Sequence, residues 1–163
     1  MEDTTQIRLG TPDDMTEVMK LAIAAAEENG FLDASASLLA QTVWPALNQD
    51  HALCGIIGTS SLIEAFVLLQ IGTMYYSTSR CVEEKVIFVH PDYRSAKGGR
   101  ARKLCEFSKK VADTLDLPLL IGVCSSERTA GKVRMYERIF GPPAGAYFLY
   151  RTKTGGHQVK VGE

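Results

Sequence analysis

Apolar and polar positions alternate along this chain in two distinct periods, and the switches between them outline the elements. Residues 6 to 9, "QIRL", read as a short opening strand. "GTPDDM" then places Thr11 as N-cap, Pro12 at the first helical position and Asp13 and Asp14 in the first turn. Those residues satisfy free amides and complement the helix dipole, so a helix starts there. Met15, Val18, Met19, Ala22 and Ala26 recur at helical spacing up to about Glu28, and Asn29-Gly30 stops the run. A second helix is predicted over 35 to 47 around Leu38, Leu39, Val43 and Leu47, with Pro45 near its end.

"LCGIIG" and "LIEAFVLLQI" are two apolar runs joined at Thr59-Ser60-Ser61, the pattern of an antiparallel hairpin. After the polar and aromatic "GTMYYSTSRC", the β-branched "VEEKVIFV" predicts a strand over 82 to 89. A helix is expected from about 97 to 115, its inner face made by Ala101, Leu104, Cys105, Ser108, Val111, Ala112 and Leu115, with the cations mainly outside. "LPLLIGVC" reads as a strand buried on both faces. "SSERTAGKVRMYERIF" is helical in its second half, "GPPAG" breaks it, and "AYFLYR" predicts a last strand before a loose tail, 153 to 163. The order is β-α-α-β-β-β-α-β-α-β. It implies one α/β (α+β) domain over 1 to 152, with a mixed sheet and helices on both faces.

A length of 163 residues suits one domain with one core, and 45% hydrophobic with 23% charged residues is the balance of an ordinary globular protein. The net charge of -1 excludes a general nucleic-acid binder, which would carry a large basic excess. No apolar run approaches the roughly 20 residues of a membrane span, and the acidic, polar "MEDTTQIRLG" is no signal peptide. Cys54, Cys81, Cys105 and Cys124 form no CxxC pair, and no histidine stands at metal-ligand spacing to them. They read as reduced and structural, in a cytoplasmic setting with no bound metal.

Against this neutral background, "VHPDYRSAKGGRARKL" (89 to 104) gathers Arg94, Lys97, Arg100, Arg102 and Lys103 around Gly98 and Gly99 where a strand meets a helix. A helix N-terminus offers unpaired amides, glycine lets an anion approach them, and the cations supply countercharge. A pyrophosphate is the natural guest. A merely solvated, basic helix start is the competing reading. The segment contains neither GxxxxGK[ST] nor a GxGxxG after a first strand.

"FVHPDYRSAKGGRARKL" resembles the acetyl-CoA-binding segment of the GNAT superfamily of N-acetyltransferases, in which a strand ending V-x-P leads through Arg/Gln-x-x-Gly-x-Gly/Ala into a helix. Arg94, Lys97 and Gly99 fall at the three key positions. Lys97 stands where the family has its first glycine, with Gly98 beside it. With "VRMYERIFGPPAGAYFLY" the chain also resembles a phage- and prophage-associated branch of that superfamily. The resemblance implies a GNAT-like, mostly antiparallel sheet splayed after its fourth strand. Pantetheine would pair with Phe88 and Val89, with His90 and Pro91 at the exit. The pyrophosphate would rest on amides of 97 to 101, including Ala101, with Arg94 and Arg100 nearby.

It further implies acetyl-CoA as co-substrate, with direct transfer of acetyl to a primary amine of a small molecule or peptide. Glu83 matches the position of a carboxylate base, directly or through water, and Glu84 points to the other face. Tyr136 matches a general acid near the thiol, and the Val89 amide an oxyanion donor. The bland alternatives are surface charges for the two glutamates and sheet packing for the tyrosine. Met74, Tyr75 and Tyr76 are either acceptor lining or an edge of the core, and Trp44 either a cleft cap or core packing. Ser125 and Ser126 would lie near the cofactor arm, while His51 and His157 receive no role. Two further readings stay open: a module that holds CoA without chemistry, and a structural partner that keeps the fold. The last strands also offer an edge through which two copies can pair as a homodimer.

Overall fold

A computed structural model describes residues 5–94, 98–125 and 128–151. Strand β1 (Ile7–Leu9) is followed by a 3-10 turn at Pro12–Asp14, helix α1 (Met15–Asn29) and helix α2 (Ala36–Leu47). Then come β2 (Ala52–Thr59), β3 (Leu62–Thr73), β4 (Arg80–Val89), a 3-10 turn at Pro91–Tyr93, α3 (Arg100–Leu115), β5 (Leu119–Leu120) and α4 (Thr129–Phe140). The strands form one sheet in the order β1-β2-β3-β4-β5. Every neighbour is antiparallel except β4 with β5, so the sheet is mixed, as expected.

Each face of the sheet is covered by helices. On one, Val18, Leu21, Val43 and Leu47 of α1 and α2 meet Cys54, Ile56, Phe66, Leu68 and Phe88. On the other, Leu104 of α3 meets Ile57, Ala65, Val67, Leu69 and Val82. The start of α1 follows its sequence signature. Asp14 is fully buried and accepts from both terminal nitrogens of Arg8 at 2.9 and 2.8 Å and from the Thr11 amide at 2.8 Å. The Arg8 hydrogen bond holds the Asp14 carboxyl well below the usual carboxylate range. A carboxylate held down in this way stabilises the fold above its ordinary titration range, and the benefit is lost as pH falls through the lowered value. Asp14→Asn should therefore cost about 2 kcal/mol at pH 7. By thermal unfolding this is a fall of roughly 4 to 8 °C that narrows toward pH 2. An unchanged midpoint at pH 7 would contradict the assignment.

One irregularity decides which residues share a face. Leu69 pairs with Glu84 but Leu68 with Val86, so Lys85 is an extra residue in β4. Before it, even-numbered Val82 faces α3. After it, odd-numbered Ile87 and Val89 do, while Val86 and Phe88 turn to α1.

Two expectations need correction. The run "LPLLIGVC" makes a strand of only two residues, because only Val82 and Glu83 meet it in register and the chain then leaves the sheet. "AYFLYR" is not a strand: residues 142 to 151 carry no helix or strand, and Tyr147, Phe148 and Tyr150 are almost fully exposed. A strand needs a ladder to join, and β5 is too short to offer one. The cations of α3 lie mainly outside, as expected, with Arg100 the buried one. The expected tail, 153 to 163, lies outside the described residues, as do Lys97, Ser126 and His157.

Candidate active site

The parting of β4 and β5 opens the site. Val82 gives its amide to Pro118 O at 2.8 Å, and β5 pairs with β4 only at Val82 and Glu83. From Glu84 to Val89, β4 has no strand on that side among the described residues, which matches the expected splay after the fourth strand. His90 donates its amide to Glu64 O at 2.8 Å. Antiparallel ladders alternate, so the backbone of Phe88 faces β3, and the amides of Ile87 and Val89 face the open side. Phe88 itself is core, its ring 6.5 Å from that of Phe66. The strand edge thus belongs to Ile87 and Val89 rather than to Phe88 and Val89.

The strand runs directly into the turn at Pro91–Tyr93. His90 Nδ1 accepts from the Asp92 amide at 3.2 Å, and its ring lies edge-on to Tyr93, which makes it a turn cap. Gly98 (φ 126°) and Gly99 (φ 55°) then take left-handed backbone that side chains resist. A Cβ on Gly98 would also stand 2.8 Å from Thr5 Cγ2. Gly99 is the N-cap of α3 and, having no side chain, makes no side-chain cap bond to its first turn.

The cations do not stand where the sequence suggests. Arg94 puts both terminal nitrogens on the Glu28 carboxylate, gives Nε to Val89 O at 2.9 Å, and stacks over Phe88. Arg100 meets Glu64 at 2.7 Å and covers the Tyr93 ring. Lys103 reaches Thr5, and Arg102 pairs with Glu106 at 2.9 Å. Carboxylates from α1 and β3 therefore already answer the two guanidiniums expected to neutralise a phosphate.

On the α3 face, Glu84, Cys105 and Tyr136 come together. Glu84 is half-buried on the face that Lys85 separates from Val86, and Gly122 N–H approaches its Oε2 at 3.4 Å. Burial pushes its carboxyl up to about 7, with the neighbouring Glu83 adding to the rise. The Tyr136 phenol and the fully buried Cys105 thiol are close enough to shift each other's titration. Burial raises Tyr136 beyond the ordinary tyrosine range, with Cys105 and Glu84 adding to it, so it stays a neutral donor. Burial also pushes Cys105 up to about 12, so it stays a thiol. Glu83 faces the opposite side, half exposed, with Lys85 Nζ at 3.1 Å. The alternation that separates the two glutamates is as expected. The roles of Cys105 and Gly122 have no motif in the sequence; only the inward position of Cys105 on α3 hints at one.

The residues weighed for an acceptor site divide. Tyr75 and Tyr76 are exposed and stack edge-on to each other, so they are no edge of the core, and Trp44 is half exposed. Ser125 takes Lys132 Nζ on its hydroxyl at 2.7 Å and Thr129 Oγ1 on its carbonyl at 2.8 Å, contacts with the first turn of α4. Ala26, Asn29, Leu32, Leu38, Leu39 and Cys124 are among the residues lining a cleft of about 480 Å³. All four cysteines are free, and Cys124 is the exposed one. Among the described residues, no His, Cys, Asp and Glu cluster that could hold a metal occurs, and no helix is long and apolar enough to cross a membrane.

No protein-family model matches the chain, and no curated protein sequence does. Solved structures match it closely in shape. A predicted acetyltransferase with acetyl-CoA from Clostridium acetobutylicum has a TM-score of 0.67 at 13% identity, over 94% of this chain and 99% of that one. The aminoglycoside N-acetyltransferase AAC(6')-Iy in complex with CoA has 0.66 at 16% identity, over 91% and 95%. A ribosomal-protein-alanine N-acetyltransferase from Brucella melitensis biovar Abortus 2308 has 0.63 at 18%, over 90% and 99%. A single mixed sheet that parts after its fourth strand, helices on both faces and these likenesses lead to one conclusion: the chain has the GNAT fold of the N-acetyltransferases.

Proposed function

We propose that the protein is an acetyl-CoA-dependent N-acetyltransferase that passes the acetyl group directly to a primary amine held beside it. One observation carries the proposal. The open edge of β4, with the amides of Ile87 and Val89 facing outward, leads toward the N-terminus of α3, which is built on Gly98 and Gly99. An open strand edge suits an arm made of amides, and a glycine-built helix N-terminus suits a pyrophosphate. In this reading Val89 N–H donates to the oxyanion that forms as the amine attacks the thioester carbonyl. Glu84, whose carboxyl titrates near 7, takes the proton the amine must lose. Tyr136 stays protonated and donates its O–H to the departing sulfur. Four free cysteines suit a reducing compartment, and we place the reaction in the cytoplasm.

A second reading is favoured by the ion pairs of Arg94 and Arg100. A module that only holds CoA can rely on the strand edge and the glycine-built helix start, with Arg94 and Arg100 already engaged by Glu28 and Glu64. Thermal unfolding with acetyl-CoA, beside ADP as control, tests whether there is a site at all. At a hundredfold over Kd, acetyl-CoA should add about 2.7 kcal/mol, a midpoint rise of roughly 5 to 10 °C. No rise at millimolar acetyl-CoA overturns both readings. A rise without thiol release from any amine leaves the module.

A further inference from the structure

The last part of the described chain buries almost nothing. Neither β5 nor α4 contains a fully buried residue, although α4 carries Val133, Met135, Tyr136, Ile139 and Phe140. Leu120, on the outer strand of the sheet, is 42% exposed. Pro142 and Pro143 fix the backbone as the chain leaves α4, and Tyr147, Phe148, Leu149 and Tyr150 follow in an unbroken run. Tyr147 is 97% exposed, Phe148 93% and Tyr150 85%. No charged residue stands anywhere from 141 to 150. A solvated surface interleaves its apolar side chains with charge, whereas the centre of a protein interface concentrates Tyr and Phe and excludes charge.

The residues that follow in the sequence are a poor cover. From 152 to 163 the apolar side chains are Val159 and Val161, too few for three aromatic rings and a leucine. A second copy of the chain is a good one, because each copy carries both halves of a contact. β5 ends the sheet, so its far side has no strand among the described residues. Residues 145 to 151 have the aromatic composition of a strand and belong to none. If each arm meets the edge of the other copy, both halves are used twice and the contact closes around a two-fold axis. The area suffices. Three aromatic side chains bring about 600 Å² per arm. Two arms with the surfaces they cover come to about 2,400 Å², above the roughly 1,200 Å² at which stable interfaces begin.

We infer that residues 145 to 151 cross to a second copy of this chain and lie along its β5, making a homodimer by exchanged arms. The arm then gains the ladder that its own chain does not give it, and β5 gains a neighbour on its open side.

Sedimentation equilibrium of the full chain at micromolar concentration should return twice the 17.8 kDa of one chain. Phe148→Glu places a charge on the arm and Leu120→Glu on the edge that receives it. Each should raise the dimer dissociation constant about thirtyfold or more. Tyr75→Glu, at a 98% exposed position between β3 and β4, should leave the dimer intact. Far-UV circular dichroism checks that all three variants fold. A measurement without variants uses chains mixed from isotope-labelled and unlabelled protein. Filtered NOEs should there connect the Phe148 ring of one copy to the Leu120 methyl groups of the other. A wild type at the mass of one chain overturns the inference, and so does an assembly larger than two chains. A folded Phe148→Glu or Leu120→Glu that dimerises as tightly as Tyr75→Glu also overturns it, as does a dimer without those NOEs.

Discussion

Glu84→Gln should lower acetyl transfer at pH 7 by roughly a hundredfold or more, the usual loss when a proton-transfer group is removed. The same change should raise the unfolding midpoint at pH 8. Both effects follow from one cause. Burial makes the Glu84 carboxylate costly, so its carboxyl titrates at about 7 instead of near the ordinary 4.5. A raised carboxyl favours the fold while protonated, and that contribution is lost as pH rises through the folded value. The wild type therefore loses stability between about pH 4.5 and 7, and a glutamine does not. The full shift corresponds to about 3 kcal/mol. Solvent screening of a half-buried side chain reduces it to roughly 2. That is a midpoint gain of roughly 4 to 8 °C at pH 8 and none at pH 4. The wild-type rate should also fall on the acid side of about pH 7, where Glu84 takes up its proton. Turnover within threefold of wild type would remove Glu84 from the reaction, and equal midpoints at pH 8 would remove the buried charge.

Phe66→Ala should cost about 4 kcal/mol, the largest stability loss we expect from a single side chain. Phe66 has no exposure and lies in the α1 and α2 core with Phe88 and Leu68. The loss is a large share of the 5 to 15 kcal/mol that holds a domain together. Urea unfolding should show the midpoint fall with an unchanged slope. The effect should also reach the site. Phe88 rests against Phe66, Arg94 stacks on Phe88, and Arg94 holds Val89 O. A cavity at position 66 should therefore weaken the acetyl-CoA response in whatever fraction stays folded. A cost under 1.5 kcal/mol would mean that the ring is not the centre of that core.

Local signals in the sequence carry far, and pairing over distance does not show in them. Thr11-Pro12 and Asn29-Gly30 mark the ends of the first helix because capping is decided within a turn of chain. The fourth strand and the glycine-started third helix are legible for the same reason. The partners of Arg94 and Arg100 are not. Glu28 is 66 residues from Arg94 and Glu64 is 36 from Arg100, and only the folded sheet brings them together. "LPLLIGVC" promises a longer strand than it makes, because an apolar run reports burial and not the presence of a neighbour in register. The glutamates at 83 and 84 could be assigned to opposite faces from alternation. Which of them is buried depends on α3, α4 and Gly122.

Lys85 has a consequence for how the strand can be rebuilt. A strand has a phase, odd or even, and one inserted residue reverses it. The half of β4 that carries Glu84 is set in one phase, and the open-edge half, with Ile87 and Val89, in the other. Deleting Lys85 would leave composition and hydrophobicity almost untouched. It would nonetheless force one half to turn over, either sending Phe88 toward α3 or Glu84 toward α2. The two halves are thus separate modules joined by a single-residue clutch, and each can be redesigned only while that residue keeps them out of step.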